Sequence, residues 1–299
     1  MPPDSLLIVG TGALATLFAH RLAAAGVDVT VLGTWREGLS ALQRYGARLA
    51  GVEHAFPVRV AENPQDCRGS KDALVLVKAW QTERISGQLA DCLAEDGLAL
   101  TLQNGLDNRE TLSRTLGAER VGLGVTTLGA NLIEPGLVQL GGDGKIILEK
   151  RARLGRLQAM LESAGFQVEA TEDAQSFVWG KLVVSAALNP LTALLRVPNG
   201  ELLERPQARR LMRELARETA EVARSREIRL PFTSPEEAVE QVARRTAVNR
   251  SSMLRDVLRG APTEVDAING AVVQLGEEAG VPVPTNHLVW ALVKALTAS

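Results

Sequence analysis

Lys181, Ser185 and Asn189 stand four residues apart within a long apolar run, residues 175–202, reading QSFVWGKLVVSAALNPLTALLRVPNGEL. Residues four apart share a helix face, so the three form one polar stripe on an otherwise apolar helix. An ammonium group in such surroundings suits one kind of chemistry: it stabilises negative charge developing on an oxygen and hands that oxygen a proton. A free lysine has a pKa of about 10.4, so it enters such a reaction protonated unless strongly desolvated. The competing reading is a buried helix whose lysine snorkels to water. Thr192 and Asn199 add polar groups further along. Pro190 is expected to break or kink the helix at Asn189, and Pro198-Asn199-Gly200 reads as a turn.

A second set of chemically capable residues lies at the start of the chain. An apolar run, 5–9, leads into Gly10-Thr11-Gly12-Ala13-Leu14-Ala15, then an amphipathic segment to about Ala25 closed by Gly26, then the run 27–32. Strand, glycine turn, helix and strand form the context in which this fingerprint binds a dinucleotide. Gly10 permits the tight turn and Gly12 lets the backbone approach a pyrophosphate. The helix N-terminus offers that anion free amides and the positive end of its dipole. Ala15 replaces the third glycine, which the fingerprint tolerates. After the second strand an NAD site carries a carboxylate for the ribose hydroxyls, but here Gly33-Thr34-Trp35-Arg36 follows, with no carboxylate before Glu37. Thr34 and Arg36 can hold a phosphate instead, so the expected cofactor is NADPH/NADP+. A tight turn without a ligand and an ordinary surface arginine are the plainer alternatives.

The elements that position these residues follow from the apolar pattern. Runs 73–78 and 98–102 read as buried strands ending at Lys78 and at Gln103-Asn104. Ligands of open parallel sheets bind beyond the carboxyl ends of strands, so Lys78 and Asn104 are expected beside cofactor or substrate. Segments 121–127, 136–142 and 145–148 are expected to complete the sheet, followed by a helix over 154–164 and a strand over 166–170. From there the periodicity is helical. It covers 205–226, a helix started by Ser234-Pro235, a short helix 251–258 capped by Ser251 or Asn249, a longer one 264–279 ended by Gly280, and a last helix that Thr285 could cap. The expected fold is an α/β Rossmann-like NADP-binding domain, residues 1–171, followed by an all-α substrate and catalytic domain, residues 172–299. Lys181 falls just past their junction, where clefts form.

Composition narrows the classes. A chain of 299 residues has room for two domains, and a net charge of −2 gives no general attraction to polyanions. The arginines of 205–229 and 244–259 are interleaved with acidic residues, so no nucleic-acid partner is expected. Cys67 and Cys92 lack metal-site spacing, and His20, His54 and His287 are scattered, so no metal is expected. No segment is expected to span a membrane, residues 6–19 lack a basic leader, and the expected setting is cytoplasmic.

Together these residues resemble the ketopantoate reductase (2-dehydropantoate 2-reductase) family over the whole chain. Four blocks carry the likeness: GTGALA (10–15), VKAWQ (77–81), KLVVSAALNPLTALLRVPNGEL (181–202) and SSMLRDVLRGAPTEVDAING (251–270). The resemblance implies a 6-phosphogluconate-dehydrogenase-like helical domain and reduction of ketopantoate to (R)-pantoate by NADPH in pantothenate biosynthesis. The enzyme would be a monomer or homodimer with a small keto acid as substrate. It implies Lys181 and Glu264 as catalytic residues, with Ser252, Asn189, Asn199 and Asn104 on the substrate side. Lys78, Asn104 and Arg36 would meet the cofactor. Ser185 also falls on the substrate side, with one departure: the family often has asparagine there, and serine keeps donor and acceptor capacity on a shorter side chain. A related 2-keto acid or β-hydroxyacid reductase and a non-catalytic NADPH sensor are the alternatives. Retention of both Lys181 and Glu264 speaks against the sensor.

Overall fold

The short apolar runs of the first 174 residues become strands covered by helices on both faces. The computed structural model describes residues 4–297, so the outer ends of the two expected domains lie outside the described residues. The chain falls into two compact units. One ends at Ala174 and the other begins at Gln175, and the loop Asn104–Leu106 belongs to the second.

The first unit contains strands β1 (Ser5–Val9), β2 (Asp28–Leu32), β3 (Arg48–Leu49), β4 (Arg59–Ala61), β5 (Ser70–Val75), β6 (Leu93–Thr101), β7 (Val121–Thr126), β8 (Gly129–Glu134), β9 (Leu137–Gly142), β10 (Lys145–Glu149) and β11 (Gln167–Thr171). Eight form one sheet in the order β11-β10-β7-β6-β5-β1-β2-β4. Every neighbouring pair is parallel except β7 with β10. Helices α1 (Ala13–Ala24), α2 (Arg36–Tyr45), α3 (Thr82–Cys92), α4 (Asn108–Leu116) and α5 (Gly155–Ser163) accompany the strands. One apolar layer joins Ile8, Val31 and Leu74 of the sheet to Phe18 and Leu22 of α1 and Leu157 of α5. The layer on the opposite face joins Val9, Ala73 and Val75 to Ile85 and Leu89 of α3 and Leu112 of α4. This is the doubly wound α/β arrangement expected from sequence.

The expected strand over 136–142 forms, but not in that sheet. As β9 it pairs with β8 and β3 in a separate three-stranded sheet. The residues of β8 are half-buried or exposed throughout, which is why no apolar run announced that strand.

The second unit is helical: α6 (Ala174–Leu195), α7 (Glu201–Glu204), α8 (Pro206–Ser225), α9 (Pro235–Arg245), α10 (Ser252–Leu258), α11 (Ala271–Ala279) and α12 (Pro284–Thr297). Helix α6 runs through the middle of its core. Trp179, Leu182 and Ala186 pack with Val222, Ile268, Val272 and Val293. Val183, Ala187 and Leu191 pack with Met212, Leu215, Val239 and Val289.

Four expectations are corrected here. Pro190 does not break α6, which continues to Leu195 with the proline inside it. Because the helix is unbroken, its 22 residues are long and apolar enough, by length and composition alone, to cross a membrane, against the expectation that no segment would be. Its apolar surface is instead the core of the helical unit. The helix expected over 264–279 contains a π turn, Asp266–Gly270, before α11 begins. Thr285 does not cap the last helix: its amide donates to the carboxylate of Glu218 at 2.8 Å, and so does that of Asn286. A carboxylate at a helix N-terminus satisfies orphan donors and meets the positive end of the dipole.

Gly10, at the carboxyl end of β1, has φ 129°. Its amide donates to the Leu32 carbonyl at 2.8 Å, and a Cβ there would lie 3.1 Å from the Leu76 carbonyl group. A Cβ on Gly12, by contrast, would meet nothing within 4 Å. Gly10→Ala is therefore expected to lower stability by roughly 2 kcal/mol, and Gly12→Ala by less than about 1 kcal/mol, as urea unfolding would measure.

Candidate active site

The glycine turn stands at the point where the sheet order reverses, with β2 on one side of β1 and β5 on the other. Gly10, Thr11, Gly12, Ala13, Leu14 and Ala15 form the connection and the first turn of α1, whose N-cap, Gly12, supplies no side-chain hydrogen bond. The amides of that turn thus have no side-chain acceptor at the N-cap, and the open space over Gly12 leaves room for a phosphate against the backbone. These residues fit a dinucleotide. Thr34 and Arg36 follow β2, both exposed. The Arg36 side chain is 88% exposed and lies 4.0 Å from Glu62, a solvated ion pair that contributes little. The carboxylate of Glu37 accepts a hydrogen bond from the indole N–H of Trp35. Lys78 caps a short 3₁₀ turn, Ala79–Gln81, just beyond β5.

Gln103 was not singled out from sequence, yet it ties the strand ends together. Its amide nitrogen donates to the Val77 carbonyl at 3.0 Å and to the Thr82 hydroxyl at 2.9 Å, while Thr101 donates to its oxygen at 3.0 Å. The available signal was position: a polar side chain at the carboxyl end of a buried strand.

In the helical unit, Lys181, Ser185 and Asn189 share one face of α6 and are each half-buried on a helix that is mostly buried elsewhere. Lys181 reaches the surface only in part, and burial of its ammonium lowers its pKa from the usual 10.5 to about 8. The negative charge of Glu264 opposes that shift. Glu264 is itself buried, and Asn104 donates to its Oε2 at 3.2 Å. Asn104 is held by its own loop: the Leu106 amide donates to the Ala267 carbonyl at 3.2 Å, and Gly105, at φ 82°, leaves no room for a Cβ beside that carbonyl. Asn104, 160 positions earlier in the chain, and Lys181 thus both engage one carboxylate.

Ser252 opens α10 and is held by its neighbour. The Ser251 hydroxyl caps the helix by accepting from the Leu254 amide at 3.0 Å, and it accepts from Thr192 of α6 at 2.7 Å. Asn199 is buried. Its side chain donates to Thr246 at 2.9 Å and its amide to the Asn249 carbonyl at 3.0 Å, tying the turn after α6 to the segment that leads into α10. Among the described residues no group of three or more His, Cys, Asp or Glu side chains is arranged to hold a metal ion.

A Rossmann-like unit followed by a helical unit with a desolvated lysine beside a buried carboxylate defines the class, a two-domain pyridine-nucleotide-dependent reductase. Comparison with known proteins narrows it. The family model described as ketopantoate reductase PanE/ApbA matches residues 6–153, and its C-terminal counterpart matches residues 173–297. The 2-dehydropantoate 2-reductase of Archaeoglobus fulgidus is 36% identical over 97% of this chain and 96% of its own, and that of Vibrio cholerae is 29% identical over 99% and 98%. A ketopantoate reductase structure from Ralstonia eutropha superposes with a TM-score of 0.91 at 29% identity, covering 98% of each chain. A D-mandelate dehydrogenase structure with NADH shares the fold at a TM-score of 0.90 and 24% identity. The chain belongs to the ketopantoate reductase PanE/ApbA family.

Since the Glu264 carboxylate holds the Lys181 pKa up, Glu264→Gln is expected to lower it below about 8. The pH dependence of acylation of Lys181, followed by mass spectrometry, reads that value directly. An unchanged or higher value would mean that the carboxylate does not act on the ammonium.

Proposed function

We propose that the protein is an NADPH-dependent 2-dehydropantoate 2-reductase, converting ketopantoate to (R)-pantoate in the cytoplasm. The observation that carries this reading is the desolvated Lys181 beside the Asn104–Glu264 pair, in a chain of this family. A bound nicotinamide supplies the hydride, and the chain's residues do the rest. The glycine turn of residues 10–15 and Lys78 hold the dinucleotide. Arg36 and Thr34 pair with its 2′-phosphate, a reading supported by the exposed, loosely engaged guanidinium and by the absence of a carboxylate before Glu37.

Lys181 bonds the ketone oxygen, stabilises the charge that develops there and donates its proton. Burial makes it a better acid than a free lysine while leaving it mostly protonated near neutrality. Glu264 accepts a hydrogen bond from the substrate's terminal hydroxyl and keeps the ammonium charged, while Asn104 orients that carboxylate. Ser252 and Asn189 hydrogen-bond the substrate carboxylate. Asn199, whose amide nitrogen is engaged by Thr246, acts on the segment that presents Ser252. Ser185 is shorter than asparagine and is a secondary contact at most.

NADPH oxidation monitored with ketopantoate tests the reading. Ketopantoate is expected to be reduced at least about tenfold more efficiently than 2-keto-isovalerate, which lacks the hydroxyl that Glu264 would read. NADPH should be preferred to NADH by at least about tenfold, a preference that Arg36→Ala removes. Lys181→Ala should lower turnover by a factor of at least about 10² while the protein stays folded and binds NADPH. Equal rates for the two keto acids would leave a general 2-keto acid reductase in place of this one.

A pH profile follows from the lysine. The proton donor must carry its proton, so kcat/KM for reduction should be level below pH 8 and fall as pH rises through about 8, toward tenfold per unit. A profile level to pH 10 would mean that another group supplies the proton.

A further inference from the structure

Pro190 leaves a gap in α6 that another part of the helical unit fills. Having no N–H, it cannot donate to the carbonyl of Ala186, four residues back. That carbonyl accepts instead from Nδ2 of Asn269 at 3.0 Å, and both residues are fully buried. The same nitrogen donates to Oδ1 of Asn286 at 3.0 Å. Asn286 donates to Glu218 Oε2 at 2.8 Å and to the Leu215 carbonyl at 3.3 Å. Glu218 in turn accepts the first amides of α12. One buried asparagine thus bonds α6 and, through Asn286, reaches α12 and α8.

The positions of its two ends matter. Ala186 follows Lys181 by five residues on α6, and Asn269 follows Glu264 by five on the segment that contains the π turn. We propose that Asn269 is a positioning residue: by bonding the carbonyl that Pro190 orphans, it fixes the segment carrying Glu264 against the helix carrying Lys181. This rests on the reading of Lys181 as proton donor and Glu264 as its partner. A purely structural role would end at satisfying a buried carbonyl, and the two differ in what they do to the lysine. Glu264 is the charged neighbour that raises the Lys181 pKa, and the neutral Asn104 bonds that carboxylate. The other carboxylate in the network, Glu218, is reached only through Asn286. If the spacing between Lys181 and Glu264 loosens, the ammonium loses its stabilising charge and deprotonates at lower pH.

Two variants read this out, each as full-length protein assayed for NADPH-dependent reduction of ketopantoate. Asn269→Leu should melt at lower temperature than the parent, and its basic limb in kcat/KM should move down by at least about half a pH unit. Pro190→Ala/Asn269→Leu returns a backbone donor to the Ala186 carbonyl without restoring the link to Asn269. It should regain thermal stability relative to Asn269→Leu while its basic limb stays low. If Asn269→Leu does not fold, the double variant alone carries the test. A basic limb at the parental pH in the folded variants would overturn the proposal, because Asn269 would then do no more than satisfy a carbonyl. A double variant no more stable than Asn269→Leu would overturn it too, since the orphaned carbonyl would not be the group that matters. Lys181→Ala keeps this separate from the parent reading: if it retains turnover within about threefold, the lysine is not the acid, whatever Asn269 does.

Discussion

An ammonium group taken out of water is the constraint around which the helical unit is built. Burial alone would push Lys181 toward the neutral amine, and the negative charge of Glu264 opposes that drift. The balance has a sign in stability. The folded pKa lies below the usual 10.5, so the fold bears the burden of the charge fully below pH 8 and is relieved of it as pH climbs from about 8 toward 10.5. A lysine kept only for solubility would sit where that burden vanishes. Lys181 instead sits in the helix whose neighbouring residues form the centre of two apolar clusters.

A charged carboxylate used to tune a lysine must itself be held. Glu264 takes a hydrogen bond from Asn104, and Asn104 sits on a loop pinned by a backbone bond to Ala267. The buried Thr192–Ser251 bond and the part-buried Asn199–Thr246 bond do the same for the polar residues near α10. Hydrogen-bonded polar pairs of this kind favour one arrangement of helices where apolar packing alone would tolerate several.

Much of this was legible in the residues. The glycine turn between two apolar runs marked the strand–turn–helix unit that opens the chain, because a strand buried on both faces and a turn needing φ above zero each leave a direct trace. The four-residue spacing of Lys181, Ser185 and Asn189 marked their common helix face. What stayed hidden depended on partners far along the chain. Pro190 predicts a break or kink by local chemistry, yet α6 continues through it, and Asn269 donates to the carbonyl that the proline leaves without a helical donor. Thr285 looks like a cap until Glu218, 67 positions earlier, takes its amide. The strand β8 carries too little apolar surface to stand out, and nothing local in residues 136–142 says which sheet they join. Local rules succeeded where the backbone's needs were met locally.

The loop Asn104–Leu106 has a consequence for how such chains can be recombined. It lies between two stretches of the first unit but belongs with the second, where Asn104 meets Glu264 and Gly105 lies against Ala267. Joining the first 174 residues of this chain to the helical half of a relative would carry that loop along with the donor half. The chimera's compatibility would then be decided by how three transplanted residues meet a foreign glutamate and a foreign helix turn. The halves are modular in sequence order, yet three residues of the first half are tailored to the second.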